Sequence, residues 1–164
     1  MVGALARKRR RGGVCEIDYL ITMTKWTFRN LTKGGRDIRV RSADHAVELL
    51  MEHSGWTEYG VVLEFEHSDK GFISCVANTQ FSTLEFHATY DRNAHSLVGN
   101  RNAIRVKPVS KDPFYFVDGV GVASSIPLRY VLPILKVTRA LKYIIEHHDY
   151  PSFIRWSDPV LDKN

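Results

Sequence analysis

Cysteine is scarce in this chain: Cys15 and Cys75 are the only two among 164 residues, and they stand far apart. A disulfide framework is therefore not expected, and the usage fits a reducing compartment, the cytoplasm. No apolar run approaches the roughly 20 residues needed to cross a bilayer, so a membrane is not an expected partner. The ligand pattern of a zinc deaminase, His-x-Glu with Pro-Cys-x-x-Cys, is missing. So is the Gly-x-Ser-x-Gly elbow of a serine hydrolase. Gly119-Val120-Gly121-Val122-Ala123-Ser124 has two of the glycines of a phosphate-cradling loop but not the third, and reads as a hairpin.

The seven histidines do not repair these gaps. His45 and His53 are eight residues apart, not the four that put two ligands on adjoining turns of a helix. Neighbouring imidazoles at His147 and His148 point about 100° apart and chelate one ion poorly, whereas a helix C-terminus suits their partial positive charge. His67 reads as a turn residue, His87 as an outward strand residue and His95 as a loop residue. No metal, no cofactor and no catalytic residue is expected, and the chain does not read as an enzyme.

What is present is ordinary for a globular domain: 44% hydrophobic and 25% charged residues. The net charge of +5 resides entirely in Arg7, Lys8, Arg9, Arg10 and Arg11; without them the chain holds 18 residues of each sign. Residues 1–22 read as a basic appendage, with Met23 as an alternative start, and 23–164 as a single domain. Glu16 and Asp18 interrupt the only stretch that could serve as an export signal core.

Along the body, Trp26, Phe28 and Asn30 share one face of a short strand, and Gly34-Gly35 separates it from Asp37 to Val40. Ser42 caps a helix in which Ala43, Ala46, Val47, Leu50 and Met51 recur at helical steps, with Gly55 as the stop. Val61 to Glu66 and Phe72 to Ala77 flank a turn at His67 to Gly71, and Gln80 to Ala88 continues the meander with Leu84, Phe86 and Ala88 inward and Glu85 and His87 outward. Asp91 to Asn102 has loop character. Ile104 to Lys107 is a weaker strand, and Phe114 to Val117 with Val120 to Ala123 forms a second hairpin. Pro133 opens an amphipathic helix whose Ile134, Val137, Leu141, Ile144 and His148 line one side. Turns too short for parallel crossovers make this an α+β chain, a mainly antiparallel sheet with two principal helices packed on it.

One set of carboxylates stands out. Glu64 and Glu66 share a strand face by the two-residue period, Asp69 lies in the adjoining turn, and Glu85 belongs to a later strand of the same meander. A solvated sheet face is the ordinary explanation; an acidic docking surface for a basic partner is the sharper alternative.

The chain closes with Asp149-Tyr150-Pro151-Ser152-Phe153-Ile154-Arg155-Trp156, preceded by Ser125-Ile126-Pro127. Together with the capped helix at Ser42, the meander from Val61 to Ala88, Ser96-Leu97-Val98-Gly99, the hairpin from Phe114 to Pro127 and the last helix, this ordered set resembles immunity protein family one of bacterial polymorphic toxin systems. Pro127, Pro151 and Trp156 match the family's signature. The family's usual glycine after the last helix is replaced here by His148-Asp149-Tyr150, and the basic tail lies outside its pattern. The resemblance implies an intracellular antitoxin that binds a cognate toxin, often of the deaminase superfamily or otherwise directed at nucleic acid, by occluding its active site. Toxin-contact candidates are Glu64, Glu66, Asp69, Glu85, Asp91, Arg92, His95 and Asn100. The alternative is a small nucleic-acid-associated protein using Arg7 to Arg11.

Overall fold

The computed structural model describes residues 24–54, 59–90, 97–100, 114–117 and 123–158. The basic tail, Gly55, Asp91, Arg92, His95 and the expected strand from Ile104 to Lys107 lie outside them. Strand β1 (Trp26–Asn30) pairs antiparallel with β2 (Ile38–Arg39) on one side and with β3 (Val61–His67) on the other. Strand β4 (Gly71–Ala77) follows β3 through a tight turn, and β5 (Phe81–Ser82) and β6 (Glu85–His87) continue the meander. Strand β7 (Leu97–Asn100) lies against β6. Strands β8 (Phe114–Val117) and β9 (Ala123–Ile126) form a separate hairpin, β10 (Leu132–Pro133) pairs with β5, and β11 (Arg155–Ser157) pairs with β7. The main sheet runs β11-β7-β6-β4-β3-β1-β2, and all its pairs are antiparallel. The α+β class is thus the observed one.

Helix α1 (Ala43–His53) begins where Ser42 Oγ accepts the amide of His45 at 3.1 Å. That bond satisfies a backbone donor the helix cannot. Helix α2 (Ile134–His147) starts at Pro133 and buries Ile134, Val137, Ala140, Leu141, Ile144 and Ile145 against the sheet and α1. Each such aliphatic side chain contributes about 1.5–3 kcal/mol on full burial. Facing it are Trp26 and Phe28 of β1, Leu63 and Phe65 of β3, Ile73 of β4 and Phe86 of β6. The helices therefore occupy one face of the sheet, and alternate strand residues point the other way. No described helix is long and apolar enough to cross a membrane.

Several expectations need correction. Within α1 Leu49 joins Ala43, Ala46 and Leu50 in the core, whereas Met51 is exposed. Expected as one strand, Gln80 to Ala88 breaks into β5 and β6 at Thr83, whose Oγ1 accepts the Val76 amide in place of a ladder carbonyl. The polar stretch read as a loop contains β7, so Asn100 stands in a strand opposite Arg155. A Cβ at Gly99 would lie 2.8 Å from Leu132 Cδ1 and 3.2 Å from Ile154 Cγ2. Its missing side chain lets the strand press onto the core. In the second hairpin the return strand is displaced by three residues from Val120–Ala123 to Ala123–Ile126. His67 is not a turn residue but the last residue of β3, buried on the core face.

The C-terminal passage folds back as a fastener. His148 ends α2 in the left-handed region, at φ 53°, a conformation that favours glycine. Its ring reaches into the core beside Trp26, His67 and Phe86, with Nε2 3.2 Å from the Ala88 carbonyl. Packing of an imidazole here offsets the backbone strain. Pro151 and Ile154 are then buried, and Trp156 returns in β11.

Candidate functional site

With both helices on the inner face, the outer face of the sheet carries the side chains left over from the core. Register places them in two rows. One row runs Arg29, Glu64, Ser74, Glu85 across β1, β3, β4 and β6; the next runs Thr27, Glu66, Phe72, His87. Three of the sequence candidates, Glu64, Glu66 and Glu85, are thereby brought to one surface. Glu64 and Glu85 flank Ser74 from either side, so their backbones lie about 10 Å apart, two strand spacings.

The arginine on this surface is heavily engaged. Arg29 Nε and Nη2 each lie 2.9 Å from the Asp37 carboxylate, while Nη1 lies 2.6 Å from Glu66 and 3.7 Å from Glu64. Its guanidinium holds Asp37 below the usual carboxylate range. Glu64 receives the smallest share of this cation. Its side chain retains 22% exposure, and loss of hydration, followed by repulsion from Glu66, raises its pKa above the ordinary value. A carboxylate whose charge is disfavoured in the free protein is poised to gain from a cationic partner.

His87 Nε2 lies 2.9 Å from Glu85 Oε1, and its ring stacks on Phe72 at 4.0 Å between centroids. Tyr90 donates its hydroxyl to the His67 carbonyl at 2.6 Å and approaches Glu66 Oε1 at 3.2 Å. Burial first, and then the charge of Glu66, push the Tyr90 phenol up to about 12. This phenol is therefore a donor throughout the neutral range.

At one end of the same face the β8–β9 hairpin leans over the sheet. The Gly60 amide donates to the Tyr115 carbonyl at 3.0 Å, and Gly60 forms a parallel bridge with Phe116. Between hairpin and sheet opens a cleft of about 370 Å³, near the lower end of the roughly 300–1,000 Å³ range of ligand clefts. Val62, Val76, Phe116 and Ile126 supply its apolar walls. Ser74, Thr83, Glu85 and Tyr130 supply its polar groups.

The other candidates fall elsewhere. Asp69 sits in the β3–β4 turn, exposed, and its ion pair with Lys25 lowers its pKa. Asn100 is in β7, two strands beyond β4. Among the family-signature residues, Pro127 accepts the Tyr130 amide at 2.9 Å. Pro151 accepts the indole Nε1–H of Trp156 at 3.2 Å. Among the described residues no three metal-ligating side chains converge. Cys75 is fully buried, and desolvation pushes its thiol up to about 12, which leaves it unreactive.

Sequence reasoning missed Arg29, Phe72, Tyr90 and the cleft residues Phe116 and Ile126. Phe72 and Arg29 were legible from strand alternation, since each neighbours an inward residue. The cleft residues come from a hairpin distant in sequence, and no local pattern announces where it docks. Sequence comparison finds no matching protein-family model and no matching curated protein. The resemblance to immunity protein family one thus rests on the order of motifs within the chain itself.

Proposed function

We propose that this chain is an immunity protein, a cytoplasmic antitoxin without catalytic activity of its own, that neutralises a cognate toxin by covering the toxin's active site. A toxin directed at nucleic acid, such as a deaminase, carries a basic substrate groove, and a rigid acidic surface complements it. The observation that carries the reading is the outer sheet face: Glu64 and Glu66 of β3 and Glu85 of β6 stand on it on either side of β4, and Glu64 is partly desolvated with Arg29 no nearer than 3.7 Å. Exposed Tyr90 and Tyr115 lie close to this face, and aromatic anchors of this kind commonly concentrate binding energy.

The ordered motifs ending at Pro151 and Trp156 support the same reading. Both residues serve the fold, so we assign toxin contact to the outer face and fastening to the signature. Asp69, Asp91, Arg92, His95 and Asn100 remain rim candidates around it. The carboxylates of this face oppose phosphate binding there, which leaves the tail, Arg7 through Arg11, as the candidate for nucleic-acid association.

Co-expression with the toxin encoded in the neighbouring reading frame tests the proposal. The wild-type chain should protect cells and co-purify with the toxin. The combined change Glu64→Gln, Glu66→Gln and Glu85→Gln should abolish both while the protein stays folded. Protection unaffected by the triple change would reject this face. Absence of any protection, together with salt-sensitive nucleic-acid retention through residues 1–22, would favour the nucleic-acid reading.

A further inference from the structure

The sheet ends at β2, whose outer side pairs with no other described strand. Lys33, Arg36, Arg39 and Arg41 succeed one another along this edge, all exposed, and among the described residues none of them makes an ion pair. The carboxylates of the neighbouring elements are already held: Asp37, Glu66 and, at a longer distance, Glu64 by Arg29, Asp69 by Lys25 and Asp44 by Lys142. Glu48 and Glu52 project from α1, in the layer on the other face, and pair with none of the four. Taken together the charges of these elements nearly balance. It is their separation that marks the edge, with cations unpaired along it and most carboxylates bonded behind it.

Register fixes how this edge is presented. Arg39 stands opposite Thr27, and the Val40 amide donates to the Trp26 carbonyl at 3.0 Å. Amides alternate in direction along a strand, so that of Arg39 points away from β1, out of the sheet. In an extended run Arg39 and Arg41, two residues apart, leave the same side about 7 Å from each other. Thr24 Oγ1 donates to the Val40 carbonyl, which brings the chain into the sheet next to Arg41. Arg11 is separated from Thr24 by at most about 45 Å of chain, short enough for the tail's cations and the edge's cations to meet one long ligand.

We propose that the open edge of β2, through Lys33, Arg36, Arg39 and Arg41, binds the phosphate backbone of a nucleic-acid strand in continuity with Arg7 to Arg11. The proposal goes beyond the antitoxin reading and does not rest on it. A file of cations along an extended edge matches a polymer whose charges also lie in file, and guanidinium forks meet phosphate oxygens two at a time. The outward amide of Arg39 adds a neutral donor of the kind that fixes a phosphate in place. Edge arginines also discourage edge-to-edge pairing of sheets. That role needs no ligand, and the experiment below separates the two.

The test is binding of the full chain to a fluorescent oligothymidylate of about 16 nucleotides, measured by anisotropy across a range of salt concentrations. Each phosphate neutralised on a single strand steepens the plot of log K against log salt by about 0.7. With tail and edge both engaged the slope should be about −6, and serine at Arg7 to Arg11 should leave about −3. The triple change Arg36→Gln, Arg39→Gln and Arg41→Gln should reduce the wild-type slope to about −4. Lysine at the same three positions should keep the slope. The pair Arg129→Gln and Arg155→Gln, the second in β11 at the opposite end of the sheet, should leave it unchanged. A tail variant whose slope falls to zero, a glutamine triple that binds like wild type, or a lysine triple that loses as much as the glutamine one would each overturn the proposal. So would an equal effect of the Arg129 and Arg155 pair, because net charge and not the edge would then be at work. Displacement of the oligonucleotide by polyglutamate at equal charge would assign the edge to an acidic polypeptide instead, and no binding at low salt would remove the site.

Discussion

The indole Nε1–H of Trp156 donates to the main-chain carbonyl of Pro151, five residues earlier, at 3.2 Å. The same indole meets the Tyr150 ring edge-on at 5.1 Å, and the Tyr150 ring packs on Phe86 of the core. The terminal proline-to-tryptophan passage is therefore a closed loop bonded to itself and pinned to the sheet through β11 and β7.

Replacing Trp156 with phenylalanine removes the donor while keeping an aromatic ring. The expected loss is about 0.5–1.5 kcal/mol of unfolding free energy, the net value of one hydrogen bond. Urea denaturation should show it. On the antitoxin proposal, protection against toxin should persist, since the residue fastens the terminus and does not belong to the proposed contact face.

Glu64→Gln should act in the opposite direction on stability. Its folded pKa is raised above the ordinary 4.5 by desolvation and then by Glu66. The folded state holds this proton more tightly than the unfolded chain, so the group's favourable contribution is present below about pH 4.5 and fades as pH rises through its folded value. At neutral pH the amide should stabilise the protein by on the order of 0.5 kcal/mol. Equilibrium unfolding at neutral pH checks the sign, and the antitoxin proposal expects weakened binding in a toxin pull-down alongside it.

Acid should loosen the packing around His67. His67 lies on the core face with its ring 5.1 Å from Trp26 and 5.3 Å from His148. Its pKa is lowered from 6.5, first by burial and then by His148, with Lys70 and Lys25 adding to this and Asp69 opposing it. The unfolded chain takes up the proton first as pH falls. Stability from this group is thus full above about pH 6.5 and declines below it until the folded value is passed. Denaturation midpoints measured between about pH 7.5 and 5.5 should fall, and the slope should shrink in His67→Gln.

Two glycines make a graded pair. At Gly71, with φ 143°, an added Cβ would lie 2.1 Å from the His87 carbonyl oxygen, a backbone atom that cannot yield. At Gly99 the obstacles are the ends of Leu132 and Ile154 side chains. Gly99→Ala should cost about 1–3 kcal/mol, as overpacking does. Gly71→Ala should cost more and part β4 from β6. Thermal melts of the two variants should rank in that order.

Much of this architecture was readable before any coordinates. Alternation placed Trp26 and Phe28 inward and set Glu64 and Glu66 on a common face, and the helical period of α2 named nearly all of its buried residues. Ser42 announced its helix through a local hydrogen bond. Each of these rests on interactions within a few residues, where spacing alone decides which side chains coincide.

What only tertiary structure decided is everything that depends on partners distant in the chain. The polar stretch around Gly99 becomes a strand because β6 and β11 offer it hydrogen bonds on both sides. His67 is buried because Trp26 and His148 arrive beside it. Glu64 and Glu85 face each other across Ser74 because two registers, β3 with β4 and β4 with β6, happen to agree. A period of two residues tells which side of a strand a group occupies, but which strand lies alongside is settled by packing of the whole core, and on that choice the outer face and its cleft depend.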